Sequence, residues 1–580
     1  MENAFLISFG ILIISATIMT YIFGKLKQPS ILAFIVTGVL IGPSVFGFVS
    51  NSEEIILLSE IGIAFLLFSV GISTELNQLK KLNAMVLLIP IINILFTFIV
   101  FVLLQHFLAI NFIQCLYFTC IISFSSTMLV AKILLDNFQI NSLYGKLAIS
   151  VLLVEDLVAV LAIPILKDAE AVSFSLIAGV IVKTIILIAV AYILNKFVYP
   201  KIVKNSFKST PGFFLLSISS CFLFILFSQL LEFPIAVGSF IGGLAISIFP
   251  YNLEVSSKIS GIRSLLSMIF FVSLGMQLSF NFASDYVLLI FLFLFVFLLK
   301  PLIYFMITLF SGYGPRISSQ VAMSLAQVSE FSLILAIQGL LLSHITQTQY
   351  SAIVIVTSLS MVLTPYIMKY NDSIFSYLKP VMKVFKAKHF TRHVDSLNNV
   401  PEKITGHIVV IGSDIVGDAI VDMLWKDKAI SMIIVDSDPE KVIPLIKKGV
   451  NCVCGDMNNE EVINSMNLAD AKLVVVTVPR SASIIRFLGI AREKNPNIII
   501  YTRANTKSEA LKQYEQGSDF VLIPKVMESN FLLDKINNFV KLPSATSLKS
   551  YRTMYIDYLK KDLIDSKNEL KKVEKKIKKK

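Results

Sequence analysis

The sequence predicts a polytopic α-helical membrane domain followed by a smaller parallel-sheet α/β domain of the Rossmann kind. Three observations carry that expectation. Of 580 residues, 55% are hydrophobic and only 16% charged, with a mean hydropathy of +0.77. Apolar runs about 20 residues long succeed one another through the first 370 residues, each able to span a ~30 Å hydrocarbon core. Beyond residue 404, short β-branched runs alternate with helical patterns. A soluble domain has about a quarter charged residues, so an ordinary soluble enzyme, a disordered chain and a disulfide scaffold are excluded. Five cysteines, two of them as Cys452-x-Cys454, fit neither a disulfide framework nor a zinc spacing.

The apolar runs number thirteen: 3–24, 30–49, 55–74, 84–108, 112–136, 145–166, 172–199, 211–230, 234–250, 262–281, 285–310, 318–341 and 348–369. The first lacks a signal peptide's charged start and small-residue cleavage site, so it is expected to stay as a helix. Alternate loops carry Lys25 and Lys27, Lys80 and Lys81, Lys146, a group from Lys196 to Lys208, Lys258 with Arg263, and Arg316. The intervening loops carry Glu53, Glu54, Glu232, Asp285 and one lysine, Lys167. The positive-inside rule then places the N-terminus outside the cell membrane and everything after residue 370 in the cytoplasm.

An internal repeat runs through this region. Pro29 and Pro234 stand 205 residues apart, as do Gly38 and Gly243, while Phe68–Ile72 recurs as Val272–Met276 and Ser125 as Ser329 at an offset of 204. Seven spans separate the copies, so the repeats are inverted in the membrane, the arrangement in which secondary transporters bind substrate near mid-membrane.

Several charges lie where a bilayer opposes them. Glu155 and Asp156 sit mid-span, where a charge costs at least ~2.5 kcal/mol and normally faces a cavity or a partner. Neighbours on a helix diverge by about 100°, so the two carboxylates should do separate jobs: one paired to a buried cation, the other open to water. Lys300, deep in the 285–310 span, is the expected cation. A buried carboxylate with access to water can hold a proton or a dehydrated alkali ion, and exclusive occupancy couples the two fluxes. The hydroxyl run Ser123–Thr127 and its repeat partner Ser324–Phe331, with Gln327, Ser329 and Glu330, place further polar groups in the membrane. Close packing through small residues is the bland alternative. Lys183 also falls mid-span, where snorkelling is its simplest explanation.

A basic, polar linker covers 371–404. The runs 407–411, 432–435, 473–477 and 498–502 then read as parallel strands separated by helices. Gly412 to Gly417 (Gly-Ser-Asp-Ile-Val-Gly) follows the first strand and opens a helix, the setting of a dinucleotide fingerprint. Asp436 ends the second strand, where a ribose-binding acid belongs. Asp414 stands where the middle glycine should be, adding bulk and negative charge against a pyrophosphate, which disfavours NAD more than adenosine-type ligands. Residues 551–580 hold eleven Lys/Arg and five Asp/Glu. This basic tail suits anionic lipid; no aromatic residues interleave with its closing run, which ends Lys578-Lys579-Lys580, and that disfavours nucleic acid.

These residues resemble the monovalent cation:proton antiporter superfamily, specifically its Kef/Nap-type branch with a C-terminal TrkA-N (regulator of potassium conductance) domain. The carrying segments are Gly38–Pro43, Phe68–Gly71, Ser125–Thr127, Glu155-Asp156, Phe270–Met276, Lys300 and Ala326–Phe331, with Gly455-Asp456 and Arg503-Ala504 as TrkA-N landmarks. The resemblance implies a core domain of two crossed, broken helices beside a dimerisation domain, and elevator-type alternating access in a homodimer. It implies Asp156 as the ion- and proton-binding aspartate for transported Na⁺ or K⁺ and Glu155 as the preceding position. Lys300 would be the lysine pairing there, with Ser126, Thr127, Gln327 and Glu330 on the broken helices. Glu155 departs from the Gln-Asp pair of potassium-efflux members. It keeps a Lys300 salt bridge open as in Asp-Asp sodium antiporters, leaning the reading to sodium and to electrogenic exchange. The cytoplasmic domain would carry a regulatory NAD(H) or adenine nucleotide on Gly412, Gly417, Asp436, Asp456 and Arg503, with no cofactor required for transport.

The expected organisation is a transport domain over 1–370, a linker over 371–404, a TrkA-N domain over 405–540 and a basic tail over 541–580. The expected function is non-enzymatic cation/proton exchange. A ligand-gated potassium channel is the alternative, opposed by the lack of a Thr-Val-Gly-Tyr-Gly filter. A membrane NAD-dependent oxidoreductase would need the intact glycine fingerprint and a substrate domain.

Overall fold

The computed structural model describes residues 2–527, apart from 27, 50–52, 74–83, 138, 169–173, 200, 203–209, 248–251, 279–285, 372, 376–396, 402–403, 414–422, 424–430, 479–480 and 525. It divides into two compact units near residue 398. The first is all-helical. Its helices are α1 (Glu2–Lys25), α2 (Ser30–Ile41), α3 (Glu53–Ser73), α4 (Ala84–Leu104), α5 (Phe112–Ser123), α6 (Thr127–Asp136), α7 (Leu143–Lys167) and α8 (Phe174–Ile193). They continue with α9 (Thr210–Leu230), α10 (Ile235–Ser247), α11 (Asn252–Met276), α12 (Tyr286–Leu294), α13 (Lys300–Phe310), α14 (Gly314–Ser324), α15 (Glu330–Leu341) and α16 (Gln347–Lys369). Among the described residues, seven helical segments are long and apolar enough to cross a membrane, and six shorter apolar helices accompany them.

Local chemistry explains the interruptions. The 112–136 run breaks at Phe124–Ser126, where Phe124 is extended and the Ser126 hydroxyl caps α6 by accepting the Leu129 N–H. Serines compete with helix interiors and favour caps, so a Ser-Ser-Thr run is a natural breakpoint. The 318–341 run breaks likewise, between α14 and α15, with Ser329 capping α15. Asn111 and Gln114 close a reciprocal capping box on α5, and Thr346 with Gln349 does the same on α16. Between α12 and α13 the chain passes through a π-helical turn, Phe295–Leu299. Pro301, just beyond it, has no N–H to return to the previous turn, which accounts for the wider spacing there.

Two helix crossings are held by paired glycines. A Cβ on Gly38 (α2) would lie 2.0 Å from the Val272 carbonyl oxygen, and one on Gly275 (α11) 2.1 Å from that of Ile35. At the second crossing, Gly71 (α3) would meet Phe240 O at 2.2 Å and Gly243 (α10) would meet Phe68 O at 2.1 Å. Only residues without side chains permit such approach.

The second unit is built on a sheet in which β2 to β7 pair in parallel. Its strands are β1 (Asn398–Asn399), β2 (Ile408–Ile411), β3 (Met432–Asp436), β4 (Cys452–Cys454), β5 (Leu473–Val476), β6 (Ile499–Arg503) and β7 (Phe520–Leu522), ordered β1-β4-β3-β2-β5-β6-β7. Ile408 is in register with Met432 on one side and Leu473 on the other. Strand order reverses about β2, so the switch point lies beyond the carboxyl ends of β2 and β5. The four strands expected from sequence are present with ends shifted by at most a residue. Sequence reading missed β1, two polar residues inside the expected linker, and β4 and β7, three residues each and too short to register as apolar runs.

Candidate functional site

The two broken helices are tied together at their breaks. Ser329 N–H donates to Phe124 O at 3.1 Å, the Ser125 hydroxyl to Leu325 O at 3.0 Å, and Gln327 Nε2 to Ser126 O at 3.2 Å. Val328 N–H donates to Ser360 Oγ, and the Ser332 hydroxyl to Ile121 O. Backbone groups freed by the breaks therefore find partners inside the protein, as an apolar setting demands.

Each crossing helix end is met by a charge of the right sign. Carbonyl ends of α5 and α14 carry partial negative charge, and amide ends of α6 and α15 partial positive charge. Lys300, fully buried, donates to Phe124 O at 3.1 Å and to Gln327 O at 2.5 Å. Glu155 accepts the Ser125 N–H at 2.7 Å beside the start of α6. Glu330 occupies the first turn of α15.

This corrects the expected pairing of Lys300 with Glu155. The ammonium is spent on two backbone carbonyls, and the second oxygen of Glu155 accepts the Tyr304 hydroxyl instead. The lysine and glutamate still attract across the gap. Three ammonium protons suit two fixed carbonyl dipoles as well as they suit one carboxylate, and the breaks supply those carbonyls at short range. Tyr304 was not anticipated. Its signal was its place four residues after Lys300, on the same helix face.

Asp156 stands apart from that network, as the 100° divergence requires. Its Oδ2 accepts the Thr127 hydroxyl at 2.8 Å. It is only 3% exposed, so the expected opening to water is absent from this conformation: α5–α6 and α14–α15 close over it. Glu330 is within electrostatic reach, with Ser126 against its carboxylate. Glu330 Oε2 and Gln327 Oε1 are buried without a hydrogen-bond partner. Asp156, Glu155, Lys300, Ser126, Thr127, Gln327 and Glu330 thus gather at one crossing, buried or, for Thr127, half-buried. Lys183 is elsewhere: from the middle of α8 its ammonium reaches Glu232 Oε2, just past the end of α9, at 3.0 Å, the snorkelling geometry, and holds that exposed carboxyl below the usual carboxylate range.

In the sheet unit, Gly412 follows β2 at φ +94°, and a Cβ there would lie 2.6 Å from Thr477 Oγ1. Ser413 donates both its N–H (2.7 Å) and its hydroxyl (2.8 Å) to Asp436 Oδ2. Gly412 and Asp436 thus meet at the switch point. Asp456 turns its Oδ1 to the Asn458 N–H, and Arg503 ends β6 with its Nε buried and unpartnered. The Gly412 cradle and the Asp436 carboxylate fit a nucleotide's ribose end. Gly417 and Asp414 lie outside the described residues, as does the basic tail.

Charges compensating a crossing of two interrupted helices, inside a many-helix membrane unit with an appended Rossmann-like sheet, define a membrane carrier of the secondary-transporter class. The sodium/hydrogen exchanger transmembrane family matches residues 13–369, well over half of the chain, and the TrkA-N domain matches residues 408–524; the chain belongs to the sodium/hydrogen exchanger family. It is 26% identical over 529 residues to a protein of Escherichia coli K12 named as the cation/proton antiporter YbaL, covering 88% of this chain and 94% of that one. It is 24% identical over 534 residues to one of Alkalimonas amylolytica named as the K(+) efflux antiporter KefB, covering 89% and 78%. The sodium proton antiporter MjNhaP1 of Methanocaldococcus jannaschii shares the helical fold, with a TM-score of 0.50 at 16% identity over 64% of this chain and 97% of that one. All three are named as antiporters.

Proposed function

We propose that this protein exchanges Na⁺ or K⁺ for protons across the cell membrane, with Asp156 as the carrier. One observation carries the reading. Asp156 and Glu330 are both buried and within electrostatic reach of each other, and Glu330 Oε2 and Gln327 Oε1 have no protein donor. Repulsion between the carboxylates is relieved by a proton or by a dehydrated cation, which the orphaned oxygens, Thr127 and Ser126 would ligate. Either occupant suffices, so each displaces the other. The burial of Asp156 suits an occluded stage of alternating access, in which the carrier opens to one side at a time.

The wider reading follows the same lines. Thirteen spans place the N-terminus outside and the TrkA-N domain in the cytoplasm; the domain limits are 1–370, 371–404, 405–540 and 541–580. The glycine crossings support inverted repeats, because the repeat offset carries Gly38 to Gly243 and Gly71 to Gly275, exchanging one crossing for the other. A homodimer working by elevator motion, a basic tail on anionic lipid, and regulation by NAD(H) or an adenine nucleotide at Gly412, Gly417, Asp436, Asp456 and Arg503 complete it. When bound, the nucleotide would supply a regulatory signal and no chemistry. The channel reading is weaker, since an open pore needs no carboxylate sealed at the centre of the fold.

The test is proton flux in proteoliposomes driven by Na⁺, K⁺ or Li⁺. Asp156→Asn should abolish exchange while leaving the protein folded; full cation-driven flux with that variant rejects the assignment. Nucleotide added on the TrkA-N side should change the rate, and Asp436→Ala should remove that response.

A further inference from the structure

Four buried side-chain oxygens between α4 and α5 have no hydrogen-bond partner: Asn93 Oδ1, Thr97 Oγ1, Thr119 Oγ1 and Ser123 Oγ. None of these residues is more than 3% exposed. They form two rungs of an antiparallel helix pair. Asn93 Nδ2 donates to Ser123 O at 3.4 Å, and two turns further along, Cys115 Sγ donates to Phe101 O at 3.6 Å. The register between those contacts sets Thr97 opposite Thr119. A threonine hydroxyl in a helix ordinarily bonds back to the previous turn, so a facing pair that does not, beside an unpaired amide oxygen and serine hydroxyl, is unusual.

The seam has two different ends. At one, Asn93 Nδ2 donates to Tyr304 Oη at 3.0 Å, and Tyr304 donates to Glu155. At the other, Phe101 closes it, stacked on Phe118 at 5.7 Å and Phe295 at 5.6 Å, with Phe291 edge-on. Buried polar atoms left unpaired lose their hydration without a replacement hydrogen bond. Buried water makes about three hydrogen bonds to such groups, and the two rungs offer four acceptors within two helical turns.

We propose that this seam binds a short file of water and is a proton path to Glu155, entered past Phe101 and completed by Tyr304. Glu155 has no other open approach in this conformation: one oxygen is held by the Ser125 N–H and the other by Tyr304. In the transfer, the Tyr304 hydroxyl gives its proton to the Glu155 carboxylate and takes one from the seam water. The seam water is reprotonated along the file from the medium beyond Phe101, so tyrosine and water are neutral before and after, Glu155 becomes the neutral acid, and the net change is one proton moved from that medium to Glu155. Thr97 and Thr119 act through water and are positioning residues.

The inference rests on the proton-exchange reading, and the experiment separates the two. Thr97→Val and Thr119→Val are combined; each removes a hydroxyl with little change of shape. Reconstituted protein is assayed for uptake of ²²Na⁺ or ⁸⁶Rb⁺ driven by a pH gradient, and for self-exchange of the same ion at equal pH, which needs no proton. The double variant should lose proton-driven uptake about fivefold or more and keep self-exchange, and Thr97→Ser with Thr119→Ser should keep both. Equal loss of both fluxes, loss of neither, or loss in the serine variant overturns the path. Failure of the exchange reading looks different: the wild type itself then shows no proton-driven uptake, and the path falls with it. Electron cryo-microscopy density for water between Thr97 and Thr119 is expected independently of transport, and a dry seam overturns the proposal.

Discussion

Gly275→Ala puts the scaffold's geometry to a direct test. The added Cβ would sit 2.1 Å from Ile35 O, 3.0 Å from Ile35 C and 3.1 Å from Gly38 Cα, all backbone atoms that cannot rotate away. Real Cβ contacts essentially never fall below 3.0 Å, so the α2 and α11 backbones would have to part by about 0.9 Å. Overpacking a tight core ordinarily costs about 1–3 kcal/mol; with only backbone to yield, the cost should lie at or above the top of that range. Gly10→Ala is the control: nothing lies within 4 Å of that position in α1, and alanine gains up to about 1 kcal/mol of helix propensity over glycine. Thermal unfolding in detergent, followed by loss of the monodisperse elution peak, should rank Gly275→Ala well below wild type and Gly10→Ala at or above it. The reciprocal changes Gly38→Ala, Gly71→Ala and Gly243→Ala should behave as Gly275→Ala does. Equal midpoints for Gly275→Ala and Gly10→Ala would refute the close-crossing argument.

Lys300→Met strips two carbonyls of a charged donor and leaves Glu155 without a nearby cation, so about 3–5 kcal/mol of stability should be lost; an unchanged unfolding midpoint would show the helix ends need no compensation. In the sheet unit, Asp519 Oδ2 accepts the Ile500 N–H at 2.6 Å and Arg492 at 2.7 Å, while Arg492 also holds Gly517 O. Asp519→Ala should therefore cost about 1–3 kcal/mol, read as faster amide exchange in β6 and β7 of the full chain. Burial pushes the Cys452 thiol up to about 12, so it stays protonated from neutral pH well into alkali. Maleimide at about pH 8 should label it only after the domain is denatured, since the thiolate is the reactive form; prompt labelling of native protein would contradict its burial.

The glutamate–lysine pairing shows where sequence reading stops. A charge in the middle of an apolar span demands a partner, and that demand was legible in Glu155, Asp156 and Lys300. Which partner each takes depends on where the two breaks deposit free carbonyls and amides, 176 residues from Lys300 in the case of Phe124. The same holds in the sheet unit. Asp436 was placed correctly at a strand end, but its capture by Ser413 depends on how the turn after β2 folds back.

What the sequence determined alone was what is set by partition between water and an apolar medium: the number and length of apolar runs, the serine-rich breakpoints and the β-branched strands. These are local properties, fixed by residue type over a window of a few to twenty positions. Only the tertiary structure decided that Lys300 serves two helix ends, that Tyr304 holds Glu155, that Lys183 reaches Glu232, and that Glu330, Gln327 and the α4–α5 seam keep oxygens without donors. Those outcomes turn on competition among several acceptors of similar chemistry, and fractions of an ångström in three dimensions settle that competition, whatever the order of residues along the chain.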